Sequence, residues 1–504
     1  MSEGKKGKNL ISTMISVSGI VVLGKLLGFV KQMVTANAFG ATIQTDIISL
    51  SEGLIVNTDY LLVQALATAF IPTYIYAKNK NADDCKKFVS DTIKVFLIVT
   101  IGIALLFTLA SPIVSKILAP SYDAEQSLQL AKYIRIFAPA LILVVELAVF
   151  NALLKANESF IPGELIGFNQ SVILIVLVFL ISGTVGPDTL VIGFYAYAIF
   201  NLIYLMVFSR KYWGILSGNP FKNSHVKRLL VMMGPLLLGY AMVFINQQVD
   251  KIIVSGLGEG TVTAMSYASV LSNFICTFIG SMAGILFTYI TQNIVEDNDD
   301  KAASLTTNSV VQMVTILLPI SILTVLNSTD IVKIVFGRGK FDAAAVSTCA
   351  VALVGYGFMF VPYVLREVFS RVQYAYGDSK NPMINSSIAI VFNIVFSIVL
   401  SRFIGVLGVT LATSISVLIC AILNIRSSCK RNEFIKIKDY LKYIPQWLGG
   451  IAICVAATYG GRIFLQSVPA ILRFIVIVVV SGAIYGIIAY PIIKPIIKKL
   501  LRRG

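Results

Sequence analysis

The sequence predicts an all-α polytopic membrane protein with about 14 transmembrane helices, arranged as two six-helix lobes plus two C-terminal helices. Three observations lead to this prediction: the composition, the recurrence of long apolar stretches, and a self-match at a constant offset. Hydrophobic residues make up 57% of the 504 positions and charged residues only 13%, whereas a soluble protein carries about 25% charge. So little polar surface cannot cover a globule in water, and we therefore expect the chain to be solvated by lipid.

Apolar stretches of about 20 residues recur from end to end, and only helices and closed barrels satisfy their backbone hydrogen bonds in lipid. A basic stub (Lys5, Lys6 and Lys8) precedes the first stretch, but no cleavage site of small residues follows it, so we expect a retained first span. The predicted helices cover residues 10–38, 43–77, 86–112, 127–154, 162–183, 188–209, 226–255, 261–294, 303–326, 342–376, 382–402, 405–426, 440–466 and 469–497.

A self-match relates the first six helices to the next six. The matched pairs, all 220 residues apart, are Gly19 and Gly239, Lys31 and Lys251, Gly40 and Gly260, Ser159 and Ser379, and Pro162 and Pro382. We therefore predict an N-lobe over residues 1–218, a C-lobe over 219–430, and two added helices over 431–504. Chance similarity among apolar helices is the alternative. Duplicated lobes are typical of transporters, in which substrate binds between lobes that rock.

Basic residues in the loops predict the orientation, because Lys and Arg in short loops stay in the cytoplasm. With both termini in the cytoplasm, the inner loops and tails hold about 26 Lys and Arg against about 7 outside. Two loops fit poorly: the inner acidic loop at residues 296–300 and the outer loop carrying Arg338 and Lys340. The net charge of +16 is explained by anionic lipid headgroups rather than nucleic acid, because no basic domain with stacking aromatics is present.

The sequence predicts neither a metal site nor a cofactor. It contains one histidine, His225, and six cysteines that form no CxxC pair. No P-loop is present either, so we expect transport to be coupled to the membrane potential or to a monovalent cation. Because two lobes in one chain would already form a cavity, we expect a monomer.

Ionisable residues at membrane depth cost roughly 2.5–3.5 kcal/mol each, so each should face a cavity or a partner. The candidates for a cationic site, suited to a phosphate-bearing substrate, are Lys25, Lys31 and Lys251. The other polar or charged cavity candidates are Asp46, Glu52, Asp59, Asn246, Gln247 and Asp250. Lys31 could instead reach the outer interface and pair with Asp46. Arg366 and Glu367 are adjacent in sequence, so we predict that they do not face each other and have a structural role.

Four stretches of the chain are similar to one family. They are the run from Lys25 to Asp46 (KLLGFVKQMVTANAFGATIQTD), AFIP at 69–72, FGRGKFD at 336–342 and YAYGDSKNP at 374–382. These stretches resemble the MurJ/MviN lipid II flippases of the MOP flippase superfamily, which also contains polysaccharide flippases and MATE multidrug exporters. The resemblance covers nearly the whole chain, and the last two stretches are the most specific.

The resemblance implies an alternating-access flippase in the bacterial cytoplasmic membrane. Its cargo would be a polyprenyl-pyrophosphate-linked sugar, lipid II, which is moved from the inner to the outer leaflet for peptidoglycan synthesis. Lys25 and Lys31 match cavity arginines of the family, and Asp46 matches a family aspartate. The last two helices would form a groove for the lipid tail, and other membrane lipids would surround the protein.

Departures from the family pattern keep other functions open. Thr58 and Asp59 stand where members have basic residues, and Val270 stands where they have an arginine, so another lipid-linked oligosaccharide is an alternative cargo. A MATE-like cation exporter, which would use cavity carboxylates, is a second alternative. A membrane enzyme is disfavoured, because no loop exceeds about 20 residues, too short for a catalytic domain. We therefore predict a transporter.

Overall fold

The computed structural model describes residues 2–214, 219–296, 298–431 and 438–501, and these residues are almost entirely α-helical. The chain forms two compact units. The first comprises residues 1–263 together with 338–341, and the second comprises 264–337 and 342–504. The lobe boundary predicted at residue 218 rests on the sequence repeat rather than on contacts, and it stays a prediction.

Eight helices belong to the first unit in the described part of the chain. They are α1 (Ser2–Phe39), α2 (Ile43–Lys80), α3 (Ala82–Leu118), α4 (Ala124–Phe137), α5 (Ala140–Ala156), α6 (Ile161–Val185), α7 (Thr189–Ser209) and α8 (Ser224–Ser255). The second unit begins after the first turn of α9. Its helices are α9 (Thr261–Val295), α10 (Asp299–Leu326), α11 (Ser328–Val335), α12 (Ala343–Gly357), α13 (Phe360–Ala375), α14 (Lys380–Arg431), α15 (Lys438–Leu441), α16 (Ile444–Phe464) and α17 (Ala470–Leu501).

All fourteen predicted segments are helical, but two of them are broken near the middle, and the segment predicted at 440–466 is interrupted near its start, between α15 and α16. The segment predicted at 127–154 forms α4 and α5, which are separated at Ala138 and Pro139. Pro139 has no N–H to donate to the preceding turn. The segment predicted at 342–376 forms α12 and α13, which bend by 41° at their junction. The second break, at residues 358–359, lies 220 residues after the first, which is the offset of the predicted repeat.

Eleven helical stretches among the described residues are long and apolar enough to cross a membrane, and the bent pair makes a twelfth. The two longest stretches are Ile161–Ser209 and Lys380–Lys430. In the first, a short 3-10 helix separates α6 from α7, and Asn169 Nδ2 donates to Asn201 Oδ1 at 2.9 Å. Only two antiparallel arms bring these residues together, so this stretch is a hairpin that supplies two crossings.

The second long stretch, α14, is also a hairpin. Its backbone leaves the helical region at Ile404 and at Gly405, whose φ is +56°. Asn385 Nδ2 then donates to Asn424 Oδ1 at 2.8 Å across the two arms. With two crossings in each hairpin, the described residues contain fourteen apolar crossings, and the predicted fold class is confirmed.

The two most specific family-like stretches form turns and helix caps. In FGRGKFD, Gly339 has a φ of +59° and approaches α1 so closely that a Cβ would overlap the Asn37 carbonyl. Lys340 N donates to the same carbonyl at 2.9 Å. Asp342 then accepts a backbone N–H in the first turn of α12, and Asp378 does the same for α14. These residues are therefore required to start helices and position turns.

A proline in α10 creates an attachment point for the last two helices. Because Pro319 has no N–H, the carbonyl of Thr315 loses its helical partner. The Tyr485 hydroxyl of α17 donates to that carbonyl at 2.8 Å, and Trp447 Nε1 of α16 donates to Thr315 Oγ1 at 3.0 Å. These two hydrogen bonds fasten α16 and α17 to α10.

Tyr485→Phe should therefore lower the free energy of unfolding by about 1 kcal/mol, because it leaves a buried carbonyl unpaired. In a Pro319→Ala background the same change should cost much less, since a backbone N–H at position 319 can bond Thr315. Thermal unfolding of the purified variants in detergent measures both losses. Equal losses in the two backgrounds would contradict this account.

Candidate functional site

Three predicted site residues come together in the first unit. Lys31 on α1 and Lys251 on α8 both interact electrostatically with the Glu52 carboxylate on α2. All three side chains are partly buried. One carboxylate can balance only one of the two ammonium groups, so the three residues carry one excess positive charge within the apolar part of the unit.

Gly53, the residue after Glu52, makes room for one of these lysines. A Cβ at this position would overlap the Lys251 ammonium. The ammonium therefore lies against the bare backbone of α2, and a larger residue at position 53 would push it away. α2 and α8 pack along each other here, so the position of Lys251 depends on a glycine in a neighbouring helix.

Asp59, two turns further along α2, has a neighbour that the sequence did not reveal. Tyr197 on α7 is buried and interacts electrostatically with both Glu52 and Asp59. One oxygen of Asp59, Oδ1, is buried and has no hydrogen-bond partner among the described residues. A tyrosine inside an apolar helix carries no periodic signal, so only the packing of the helices identifies Tyr197 as part of this site.

The polar stretch of α8 that precedes Lys251 is only partly satisfied. Asn246 Oδ1 and both amide atoms of Gln248 are buried and have no hydrogen-bond partner in the described structure. Gln247 is exposed, and Asp250 is partly buried. Because unpaired buried amides are unfavourable, this part of α8 is suited to contact a polar ligand.

Two other candidates lie apart from the cluster. Lys25 is exposed on α1. Asp46 is 1% exposed and accepts a hydrogen bond from Thr263 N, at the start of α9, at 2.8 Å. A carboxylate is favourable at a helix N-terminus, so Asp46 caps α9 while Lys31 interacts with Glu52.

Asp46→Ala should lower the free energy of unfolding by about 1.5–3 kcal/mol, because it removes charge-assisted hydrogen bonds to a helix end. Asp46→Asn should cost less, since the amide oxygen still accepts. Thermal unfolding in detergent would measure both changes. An alanine variant as stable as the wild type would show that the cap contributes nothing.

A second charged cluster lies on α13. The prediction that Arg366 and Glu367 do not pair is wrong, because Arg366 Nη2 lies 2.7 Å from Glu367 Oε1. Both side chains are long enough to curl along the helix surface and meet despite their adjacent positions. Arg371, one turn later, places its Nη2 3.5 Å from Glu367 Oε2, as residues four apart on a helix commonly do.

The second unit also contains an apolar groove of about 790 Å³. Its walls come from α10, α13, α14, α15 and α16. They include Leu365, Ile422 and Trp447, and the basic residues Arg426 and Lys430 lie at the C-terminal end of α14. The family resemblance implied a groove formed by the last two helices; the groove described here is lined by residues of α16 and by none of α17 among the described residues.

Charged clusters within apolar helices, together with an apolar groove of this size, define a polytopic membrane transporter. The solved structure "Lipid II flippase MurJ, inward closed conformation" matches this fold with a TM-score of 0.82 and 19% identity, over 96% of this chain and 100% of that one. An inward-facing MATE family multidrug resistance transporter of the MOP superfamily matches with a TM-score of 0.61 and 16% identity, over 82% of this chain and 94% of that one.

Sequence comparison identifies the family. The probable lipid II flippase MurJ of Borreliella burgdorferi is 25% identical over 425 residues, which is 82% of each protein. The family model described as "Lipid II flippase MurJ" matches residues 35–480. The chain therefore belongs to the lipid II flippase MurJ family. The predicted resemblance is confirmed, and so is the expectation of a transporter rather than an enzyme, because the family is one of flippases.

Proposed function

We propose that this chain moves lipid II, a polyprenyl-pyrophosphate-linked sugar, from the inner to the outer leaflet by alternating access. Family membership supports the cargo, and the arrangement of Lys31, Glu52 and Lys251 supports a cationic site for its pyrophosphate. The arrangement of these three side chains is the main observation that supports the proposal. An excess positive charge at membrane depth is unfavourable until an anion neutralises it, and a pyrophosphate supplies that anion.

The predicted residues have different roles in this proposal. Lys31 and Lys251 bind the pyrophosphate, and Glu52 keeps their combined charge low enough for the site to release it again. Lys25, exposed on α1, meets the pyrophosphate on its way into the site. The polar groups that line the site and meet the sugar are Asp59, Asn246, Gln247 and Asp250, together with Tyr197. Asp46 acts indirectly, by holding the start of α9.

The identity of the glycan is the open part of this function. Lysine offers a point charge, whereas the bidentate fork of arginine matches phosphate geometry. The chain has lysines at two cavity positions, and Thr58, Asp59 and Val270 replace basic residues of the family pattern. Another lipid-linked oligosaccharide is therefore the alternative cargo. A MATE-like cation exporter is favoured by likeness of fold and by the carboxylates Asp59 and Asp250, but not by the two lysines around Glu52.

The membrane potential suffices to drive the step in the proposed direction. With the cell interior negative, each negative charge moved outward gains about 2.3 kcal/mol per 100 mV. A pyrophosphate carries more than one such charge, so the potential favours export without a resident cofactor. A monovalent cation is the alternative coupling agent.

The apolar groove of the second unit is suited to the lipid tail of the cargo. Burial of hydrocarbon contributes about 0.8 kcal/mol per methylene relative to water, but a tail taken from lipid gains little. We therefore assign the groove to guiding the tail rather than to binding energy. Its basic residues Arg426 and Lys430 suit an anionic headgroup beside it.

We further propose that both termini lie in the cytoplasm, as the distribution of basic loop residues indicates. The protein would then sit in the bacterial cytoplasmic membrane as a monomer that binds its lipid-linked substrate and membrane lipids but no nucleic acid. Cysteine accessibility at either terminus in intact cells would test the orientation.

Lys31→Ala and Lys251→Ala should each slow transport about tenfold or more, because each removes a charge-assisted contact to the pyrophosphate. The measurement follows a fluorescent polyprenyl-pyrophosphate-linked sugar between leaflets of proteoliposomes under an imposed potential. Lys132→Ala, at an exposed lysine of α4, is the matched control and should leave transport unchanged.

Wild-type activity in both alanine variants would overturn the lysine assignment while leaving the flippase intact. Lys31→Glu separates the function classes, because a cation exporter should tolerate the reversal and an anion carrier should not. Absence of transport by the wild type would count against the flippase itself.

Ile422→Trp should reduce transport of a long-chain cargo several-fold, because the larger ring fills the apolar groove that Ile422 lines. A cargo with a short lipid chain should be affected less. Ile398→Trp, at an exposed isoleucine on the other arm of α14, controls for the added bulk. Equal effects on long and short chains would argue against a tail site in this groove.

A further inference from the structure

The charged cluster on α13 has no role in the transport step described above. It contains two guanidinium groups, from Arg366 and Arg371, which share the single carboxylate of Glu367 at 2.7 and 3.5 Å. The three residues therefore carry one excess positive charge. They lie in a helix that, with α12, forms one bent apolar span of the second unit.

In the described structure, Glu367 is the carboxylate that lies within ion-pair distance of the two arginines. Other titratable groups that interact electrostatically with the cluster are two tyrosines and two cysteines, all normally uncharged at neutral pH. They are Tyr363 and Tyr374 on α13, Cys276 on α9 and Cys420 on α14. An uncompensated charge at membrane depth is unfavourable, so the cluster lacks an anion.

The side chains of the two arginines are only partly buried. The side chains of Arg366 and Arg371 are 31% and 30% exposed, whereas Glu367 is 19% exposed. Each guanidinium reaches Glu367 through one terminal nitrogen. Nε of Arg371 is buried and has no hydrogen-bond partner in the described residues. Neither arginine uses more than one nitrogen to contact Glu367, so each fork keeps donors for another acceptor in the described structure.

Neighbouring side chains hold the cluster in place. The Arg366 guanidinium lies over the Tyr363 ring, with 4.5 Å between Cζ and the ring centroid. The next turn is anchored to α14, because Asn424 Nδ2 donates to Ser370 Oγ at 2.8 Å. Tyr374, 47% exposed, adds a hydroxyl at one end. Two preorganised guanidinium groups beside tyrosine hydroxyls are well suited to bind a phosphate oxoanion.

We propose that Arg366 and Arg371 form a second anion-binding site, which takes a phosphate group of the lipid-linked substrate and displaces the Glu367 carboxylate in doing so. This inference rests on the proposed function. Arg366 and Arg371 would also supply bidentate guanidinium groups. The chain lacks such groups at Thr58 and Asp59 on α2 and at Val270 on α9, where the family pattern has basic residues. Glu367 competes with the substrate and keeps the site from holding it too tightly.

Binding of undecaprenyl diphosphate to the full-length protein in phosphatidylcholine nanodiscs tests the proposal. Arg366→Gln and Arg371→Gln should each weaken binding about tenfold, and Arg366→Lys should fall between Arg366→Gln and the wild type because it keeps the charge but loses the fork. Arg402→Gln, at an exposed arginine of α14, is the matched control and should bind as the wild type does.

Glu367→Gln separates a binding site from a structural ion pair. If Glu367 competes with the ligand, the variant should bind undecaprenyl diphosphate several-fold more tightly. A purely structural cluster would instead show lower melting temperatures in all of these variants and no gain of affinity in Glu367→Gln. Either an unchanged or a weaker affinity in this variant would overturn the proposal, and melting temperatures recorded alongside show which variants are folded.

Two competition measurements identify the source of the phosphate. Inorganic pyrophosphate should compete at the site, whereas phosphatidylglycerol should compete much more weakly. Equal competition by phosphatidylglycerol would make this a general headgroup site and overturn its assignment to substrate. If the wild type transports and Arg366→Gln binds normally, only this inference fails. If the wild type neither binds nor transports lipid-linked cargo, the proposed function fails with it.

Discussion

The cost of placing charge in hydrocarbon governs where this protein keeps its ionisable residues. Each unit contains the same arrangement, in which two cationic side chains share one carboxylate. In the first unit the cations are lysines around Glu52, and in the second they are arginines around Glu367. Each arrangement places two cationic side chains around one carboxylate, which is the basis for proposing an anion site at each.

The same constraint applies to the backbone, because a carbonyl or N–H without a partner is also unfavourable in hydrocarbon, although less so than a buried charge. Pro319 frees a carbonyl in α10, and Tyr485 from α17 satisfies it. Asp46 and Asp342 satisfy backbone donors at the starts of α9 and α12. The stretches that are most specific to the family thus cap helices and form turns. The candidate site is formed by polar residues that are less specific to the family.

The two clusters differ in chemistry as well as position. An ammonium is a compact charge that can be moved aside, and the Lys251 ammonium lies in the space that Gly53 leaves beside Glu52. A guanidinium is planar and directional, and Arg366 is stacked on Tyr363. A carrier has to bind its cargo and also release it. In both proposed sites, an internal carboxylate would compete with the anion and limit how tightly it is held.

The sequence by itself determined the all-helical fold and its fourteen crossings, because hydropathy and helix length are local properties of the chain. It also identified Lys31, Glu52 and Lys251 as charges at membrane depth. Which charges meet was decided only by the tertiary structure, which joins both lysines to Glu52 and adds Tyr197 from α7. Such partners depend on contacts between helices far apart in sequence, and no local pattern specifies these contacts.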